Sequence, residues 1–316
     1  MIRRRTALLL PLAAPALAQP EWPNRSIRLI ATFEPGGGAD QSARALAAQM
    51  GPLLGQTVVV ENRTGAAGNI GTEAMVRAND GHTFLYASTG PITYHNLLFR
   101  SLPFDPLRDL LPIAFAAHSP NIIGVRADLP WRGIQDLVAA ARRTPGAINY
   151  GSAGIGTTQH LTMELLQARA NIELTHIPYR GGAASLRDLL GGRLEAAVLT
   201  GSGAQPIREG RVTALAVTGS GRIPVIPDVP NMIEQGFPDF VATAWYGVVG
   251  PANTPPEVVR RLSDTVTRVT RDEAFNARMR DITFEAETMD SAAFTRFIAA
   301  ERTKWEPIVR RFAGSM

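Results

Sequence analysis

The sequence predicts an α/β protein of two doubly wound domains joined by two crossovers. Three observations predict it. Short apolar runs alternate with amphipathic stretches along the chain, the pattern of parallel sheets covered on both faces by helices. About 300 residues remain once an N-terminal leader is set aside, more than one core usually holds. Two apolar strands flanked by proline and glycine, 121–126 and 243–250, are separated by roughly the length of one small domain, so the chain can leave one domain and return to it.

Taken in order, residues 1–18 read as an export signal. Met1-Ile-Arg-Arg-Arg-Thr is a basic start, Ala7 to Ala18 is an apolar run too short to span a bilayer, and Ala16-Leu-Ala18 is a small-x-small cleavage site. The expected location is the periplasm, with cleavage near Ala18. Arg3-Arg-Arg5 leaves the twin-arginine route open beside the general secretory one. The first domain then opens with strand 27–32, helix 40–50, strand 57–61, helix 69–78, strand 83–88 and a segment around 94–99. After the crossover at 121 comes a helix over 129–143, where Leu129, Ile134, Leu137, Val138 and Ala141 share one face. Strands 148–151, 174–178, 194–200 and 213–218 follow, with helices 157–169 and 183–191 between the first three. Beyond the second crossover, Pro251-Ala-Asn-Thr-Pro-Pro precedes helices 255–270, 272–279 and 290–312. Domain 1 is therefore expected over 19–120 and 245–316, with domain 2, 121–244, inserted. Two such crossovers form a hinge that closes two lobes on a ligand in the cleft.

Charge and composition exclude several classes. The chain has 32 basic and 28 acidic residues. Without the three leader arginines the balance is 29 against 28, too even to give a field for nucleic acid or anionic lipid. Arg142-Arg143 and Arg260-Arg261 read as solvated helix faces. With no cysteine, disulfides, thiolate zinc sites and cysteine nucleophiles are out. His82, His95, His118, His160 and His176 lack metal-ligand spacing, so neither a metal nor a cofactor is expected. Gly201-Ser-Gly203 and Gly219-Ser-Gly221 lack the full nucleophile elbow, and the Gly36 loop has no Lys-Ser/Thr continuation. A hydrolase would have to use Ser152 and His160, for which no orienting carboxylate is implied. No enzyme is expected.

The stretch from Arg28 to Leu46 carries the most information: an apolar run, the three glycines Gly36, Gly37 and Gly38, then a helical pattern opened by Asp40. A strand that delivers the backbone into a helix N-terminus presents unpaired amides and the positive end of the helix dipole to an anion. The glycines remove every Cβ in the way and tolerate positive φ. Asp40 is read first as the N-cap and second as a ligand group.

Eight motifs then occur in order: Phe33-Glu-Pro-Gly-Gly-Gly-Ala-Asp, Val60-Glu-Asn-Arg-Thr-Gly-Ala-Ala-Gly-Asn-Ile-Gly, Leu102-Pro-Phe-Asp-Pro, Asn149-Tyr-Gly-Ser-Ala-Gly-Ile-Gly-Thr-Thr-Gln-His, His176-Ile-Pro-Tyr-Arg-Gly-Gly, Leu189-Leu-Gly-Gly, Ala214-Leu-Ala-Val-Thr and Pro227-Asp-Val-Pro. Together they resemble the extracytoplasmic solute receptors of the tripartite tricarboxylate transporter family, the Bordetella uptake gene (Bug) proteins, over essentially the whole mature chain. The resemblance implies a type II periplasmic-binding-protein fold. It implies a monomeric Venus-flytrap receptor that takes up a small carboxylate and delivers it to a two-subunit membrane permease. Carboxylate oxygens are then held mainly by backbone amides and ordered waters. A sensor presenting its closed form to a receptor kinase is the other fate of such a receptor.

The resemblance places ligand contacts at Pro35 and the glycine loop and, across the cleft, at Gly156, Thr157 and Thr158, with Ser152 beside them. Those hydroxyls can donate to a carboxylate or simply cap the helix over 157–169. Two opposed helix N-termini suit a dicarboxylate, or one carboxylate with a polar tail. Thr89 ends a strand where parallel sheets present ligand groups, and Tyr179 precedes a third glycine-led start at Gly181-Gly182. Phe33 either walls the cleft or packs in the core, Trp245 either walls it or packs the hinge, and His160 makes a structural hydrogen bond or meets the ligand. Three departures from the family pattern stand out. Thr200 lies where Asp or Asn is common and is carried over as a ligand contact; Arg180 replaces a common Lys on an exposed rim. Glu34 replaces an apolar or small residue and is expected to point outward; pointing inward, it would repel a second anion and select an amine.

Overall fold

The computed structural model describes residues 21–313. The export signal expected over 1–18 lies outside the described residues. The chain begins with β1 (Ile27–Ala31), α1 (Gly38–Leu54), β2 (Val58–Asn62), α2 (Asn69–Ala78), β3 (Thr83–Ser88), the short helices α3 (Thr89–Thr93) and α4 (His95–Leu98), and β4 (Leu110–Pro120). It continues through β5 (Ile122–Arg126), α5 (Ile134–Arg143), β6 (Asn149–Ser152), α6 (Thr158–Ala170), β7 (Thr175–Pro178), α7 (Gly182–Leu190), β8 (Ala196–Leu199), α8 (Ala204–Arg208) and β9 (Val212–Val217). It ends with β10 (Thr243–Pro251), α9 (Pro256–Thr270), α10 (Glu273–Asp281), β11 (Glu285–Met289) and α11 (Ser291–Ala313).

Two sheets divide these strands. Lobe 1 holds six in the order β11-β4-β10-β3-β1-β2, and lobe 2 holds five in the order β7-β6-β8-β5-β9. In lobe 1, β1 runs parallel to β2 and β3, while β10 is antiparallel to both β3 and β4. In lobe 2, β6 is parallel to β7 and β8, and β5 is antiparallel to β8 and β9. All six residues of β3 are buried, which is why Thr83 to Ser88 reads as a continuous apolar run instead of alternating. One apolar cluster joins Phe84 and Tyr86 to Leu46 of α1, Val258 and Val266 of α9 and Phe275 of α10. On the opposite face Leu85 and Phe115 meet Met75 of α2 and Phe294 and Ile298 of α11.

Sequence patterning does not announce β4 and β11. Pro112 and Pro120 punctuate β4, and burial on both faces removes alternation. β11 is an edge strand whose Glu285 and Glu287 suit an unpaired edge. The helix expected over 129–143 starts at Ile134, because the Asp136 carboxylate accepts from the amides of Arg132 (2.7 Å) and Gly133 (3.1 Å) and fixes the start there.

His118 ties these two strands together. Its Nε2 lies 3.2 Å from Glu285 and its Nδ1 3.3 Å from Glu287. Burial pushes its pKa down, but the two carboxylates outweigh that and hold it above the ordinary 6.5. A raised imidazole pKa adds stability that is fully present below the unfolded value and lost as pH rises through the folded one. His118→Gln should therefore lower the unfolding midpoint most at about pH 5–6, with the deficit shrinking toward about pH 9. Thermal unfolding across that range checks it, and a deficit that does not change with pH would contradict the pairing.

Asn121 alone separates β4 from β5 and is fully buried. Its amide donates to Thr218 Oγ1 (3.0 Å), and its Nδ2 donates to Thr162 Oγ1 (2.9 Å) and to the Ala242 carbonyl (3.0 Å). Thr218 N donates to Asn121 O and Ala242 N to Thr218 O, both at 2.9 Å. The outgoing and returning passages between the lobes are thus bonded to each other through one side chain and one threonine. The C-terminal segment departs from the expected boundary. While Phe294 and Ile298 of α11 belong to the core of lobe 1, Trp305, Val309 and Phe312 share an apolar cluster with Leu161 and Leu166 of lobe 2. Residues 245–313 are therefore not packed on lobe 1 alone, because the apolar face of α11 runs past the end of the first core.

Candidate ligand-binding site

The C-terminal ends of β1, β6, β7 and β8 face a cleft between the lobes, the edge at which parallel sheets present ligand groups. A narrow inner cavity lies there. Lobe 1 contributes Phe33, Glu34, Gly37, Gly38, Ala39 and Tyr246; lobe 2 contributes Ala153, Gln159, Gly181, Gly182, Ala183, Thr200 and Ser202. The first residues of α1 and α7 thus both open on it, and Glu34 is the only charged residue in its lining.

The three glycines of the first loop serve three purposes. Gly36 has φ +80° and nothing within 4 Å of a built Cβ, so it is required for conformation, not space. Gly37 is extended, and a Cβ there would meet only the Glu34 carbonyl at 3.5 Å. A Cβ at Gly38 would lie 2.8 Å from the Phe284 ring and 3.4 Å from the Gly201 amide, so this glycine lets the lobes and the aromatic floor approach. That floor is a stack: Tyr246 lies 5.7 Å from Tyr86 at 4° and 5.3 Å from Phe284 at 24°. Tyr86 is bonded in turn to Ser42.

Asp40 is not the N-cap. It occupies the third helical position and reaches back to the Gly36 amide at 2.9 Å, while Arg44 Nε (3.0 Å) and Asn62 Nδ2 (2.8 Å) also donate to it. Burial raises its pKa, but these bonds outweigh burial and leave it below the ordinary carboxylate value. Its carboxylate holds the loop and is absent from the cavity lining.

Of the other expected residues, Phe33 lines the cavity and also packs on the lobe 1 core, and Thr200 lines the cavity. Pro35 and Gly36 are exposed and outside the lining. Tyr179 lines a second, outer cavity. Its hydroxyl donates to Asp188 at 2.7 Å, and burial together with that carboxylate pushes its pKa up to about 12.

The remaining expected residues are used elsewhere. Thr157 is the N-cap of α6; its hydroxyl donates to Gly154 O (2.8 Å) and accepts from His160 N (3.4 Å). Thr158 is buried in the first turn of α6. Ser152 is fully buried and pairs with His176 Nε2 at 2.6 Å, not with His160. His160 accepts from Gly156 N at 3.2 Å and stacks on His176 at 4.1 Å. Burial holds both rings neutral, with His160 lowered to about 3 and His176 to about 4. Gly156 instead offers its carbonyl to His95 Nε2 of lobe 1 at 3.0 Å. Trp245 packs fully buried among Phe115, Phe294 and Phe297, and Thr89 Oγ1 accepts from its amide at 3.1 Å. None of these residues lines the inner cavity.

Residue-level reasoning missed Gln159, Ser202 and Tyr246 and gave Gly181 and Gly182 only as a helix start. Gln159 Oε1 accepts from Ala153 N (3.3 Å), which turns its Nε2 toward Gly182. Glu34, expected to point outward, lines both cavities: the turn closed by Gly37 N to Glu34 O (3.4 Å) throws its side chain against Gly181. Among the described residues no group of His, Cys, Asp and Glu could hold a metal ion.

Solved structures similar to this chain include the periplasmic binding protein BugD, with a TM-score of 0.86 at 32% identity, covering 93% of this chain and 99% of its own. Rpa4515 of R. palustris, solved with adipate, superposes with a TM-score of 0.89 at 32% identity, covering 93% of this chain and 99% of its own. MatC from Rhodopseudomonas palustris, solved with bound malate, gives 0.86 at 27% identity, covering 91% and 100%. In sequence the chain is 36% identical over 313 residues to Protein BugT of Bordetella pertussis, spanning 96% of this chain and 94% of that one. The profile described as "Tripartite tricarboxylate transporter family receptor" matches residues 42–313. With two lobes around a cleft floored by Tyr246 and bounded by two helix starts, and with these matches along nearly its whole length, the chain belongs to the tripartite tricarboxylate transporter receptors of the Bug type.

Proposed function

We propose that this protein is a periplasmic receptor that captures a small carboxylate by lobe closure and delivers it to the two-subunit permease of a tripartite transporter. The observation that carries the reading is the inner cavity itself. Its wall combines the opening residues of two helices, α1 and α7, with the side chains of Gln159, Thr200, Ser202 and Tyr246, and no lysine or arginine lines it. Such a wall holds a carboxylate by amide and hydroxyl donors aligned with helix dipoles. Relatives crystallised with adipate and malate support the ligand class. The closed lobes form the surface that a partner recognises, because a ligand bridging them shifts the population toward that state. Release from the leader near Ala18 precedes this role.

The test is thermal unfolding of the refolded, leaderless protein against monocarboxylates, dicarboxylates, tricarboxylates and amino acids. A ligand at about a hundred times its dissociation constant adds roughly 2.7 kcal/mol to the folded state, a midpoint rise of several degrees. A selective rise is expected. No rise with any carboxylate would overturn the reading.

A further inference from the structure

Glu34 stands where the inner cavity meets the outer one and is the residue common to both linings. The outer cavity is walled mainly by apolar groups, among them Ala66, Phe99, Ile155 and Pro178. The Glu34 side chain crosses the cleft. Its Cγ and Oε2 lie 3.3 and 3.4 Å from the point where a Cβ on Gly181, the N-cap of α7, would stand. Among the described residues no cation pairs with it and nothing donates to its carboxylate.

A carboxylate in this place divides the cleft electrostatically. The positive end of α7 faces Glu34, so a single anion-holding pole remains, at the start of α1 with Gln159, Thr200 and Ser202. A second ligand anion near α7 meets a like charge at short range, whereas a cation there supplies the partner that Glu34 lacks. Arg180, the other charged side chain nearby, lines only the outer cavity and is exposed. Resting on the carboxylate reading above, we infer that the ligand is a small amino-carboxylate: its carboxylate sits at the start of α1, its ammonium lies against Glu34, and the rest of its carbon chain extends into the outer cavity.

Calorimetric titration with matched four-carbon probes tests this: butanoate, succinate, 2-aminobutanoate and 4-aminobutanoate, with the corresponding six-carbon set beside them. At least one amino-carboxylate should bind about tenfold or more tighter than both the monocarboxylate and the dicarboxylate of its length. Glu34→Gln should abolish that preference and tighten the dicarboxylate; the side chain has no partner to lose, and unchanged thermal unfolding verifies the fold. Should the dicarboxylate bind tightest, with Glu34→Gln leaving the order unaltered and Arg180→Ala weakening it, the second pole is Arg180 and the inference fails while the carboxylate reading stands. Binding of no probe by either protein overturns this inference, and the thermal panel above then decides the carboxylate reading.

Discussion

Gly201→Ala should leave both lobes folded and weaken ligand binding by about a hundredfold. A Cβ at Gly201 would stand 2.0 Å from the carbonyl oxygen of Ile282 and 3.0 Å from its carbonyl carbon. Ile282 belongs to lobe 1 and Gly201 to lobe 2, and the obstructing atoms are backbone, so no rotamer change relieves the overlap. The lobes themselves must part along this edge. Overpacking costs about 1–3 kcal/mol, and a backbone obstruction lies at the upper end of that range, which corresponds to roughly a hundredfold in affinity. Since neither core contains the added methyl, the cost falls on closure. Titration of Gly201→Ala with the ligand identified by thermal unfolding reads the loss, and small-angle scattering should give a larger radius than for liganded wild type. Wild-type affinity in this variant would show that the closed state does not depend on that contact.

The second large effect is on stability. Asn121→Ala removes two donors from the buried junction of the passages and leaves Thr162 Oγ1 without that donor and Ala242 O with one fewer. Each lost hydrogen bond costs about 0.5–1.5 kcal/mol, and about 1–3 kcal/mol in total corresponds to a midpoint fall on the order of 3–8 °C. Thermal unfolding of Asn121→Ala without ligand measures it. A midpoint within about a degree of wild type would mean that the junction adds nothing to the fold.

Much of this architecture is legible in the sequence because parallel strand and helix units carry their own punctuation. α2 is found where expected, and α1, α6, α7, α9, α10 and α11 lie within a few residues of expectation, since glycine, proline and capping residues mark their ends. β4 and β11 are invisible for the opposite reason: they are placed by antiparallel partners far along the chain, and neither has a pattern of its own. The site divides in the same way. Gly37, Gly38 and Thr200 line the cavity because a strand end fixes their direction. A hydroxyl's direction is set by its competing partners: Ser152 finds its partner in His176 on the neighbouring strand, and Thr157 finds its partner in Gly154. Nothing in the order of residues tells Thr157 from Ser202. Likewise Glu34 reads as a solvent-facing loop residue until Gly181 is brought beside it from 147 positions away.

The reach of α11 bears on how the chain is assembled. Its 23 residues span about 34 Å at 1.5 Å per residue, and they follow every other described element along the chain. Lobe 1 cannot complete its sheet until β10 and β11 arrive to flank β4. Lobe 2, whose five strands are contiguous in the chain, still lacks Trp305, Val309 and Phe312 until the final turns dock. Neither core is sealed before α11 is in place. The two lobes therefore complete their interiors together, and a cut at either passage yields two fragments that each lack part of their core.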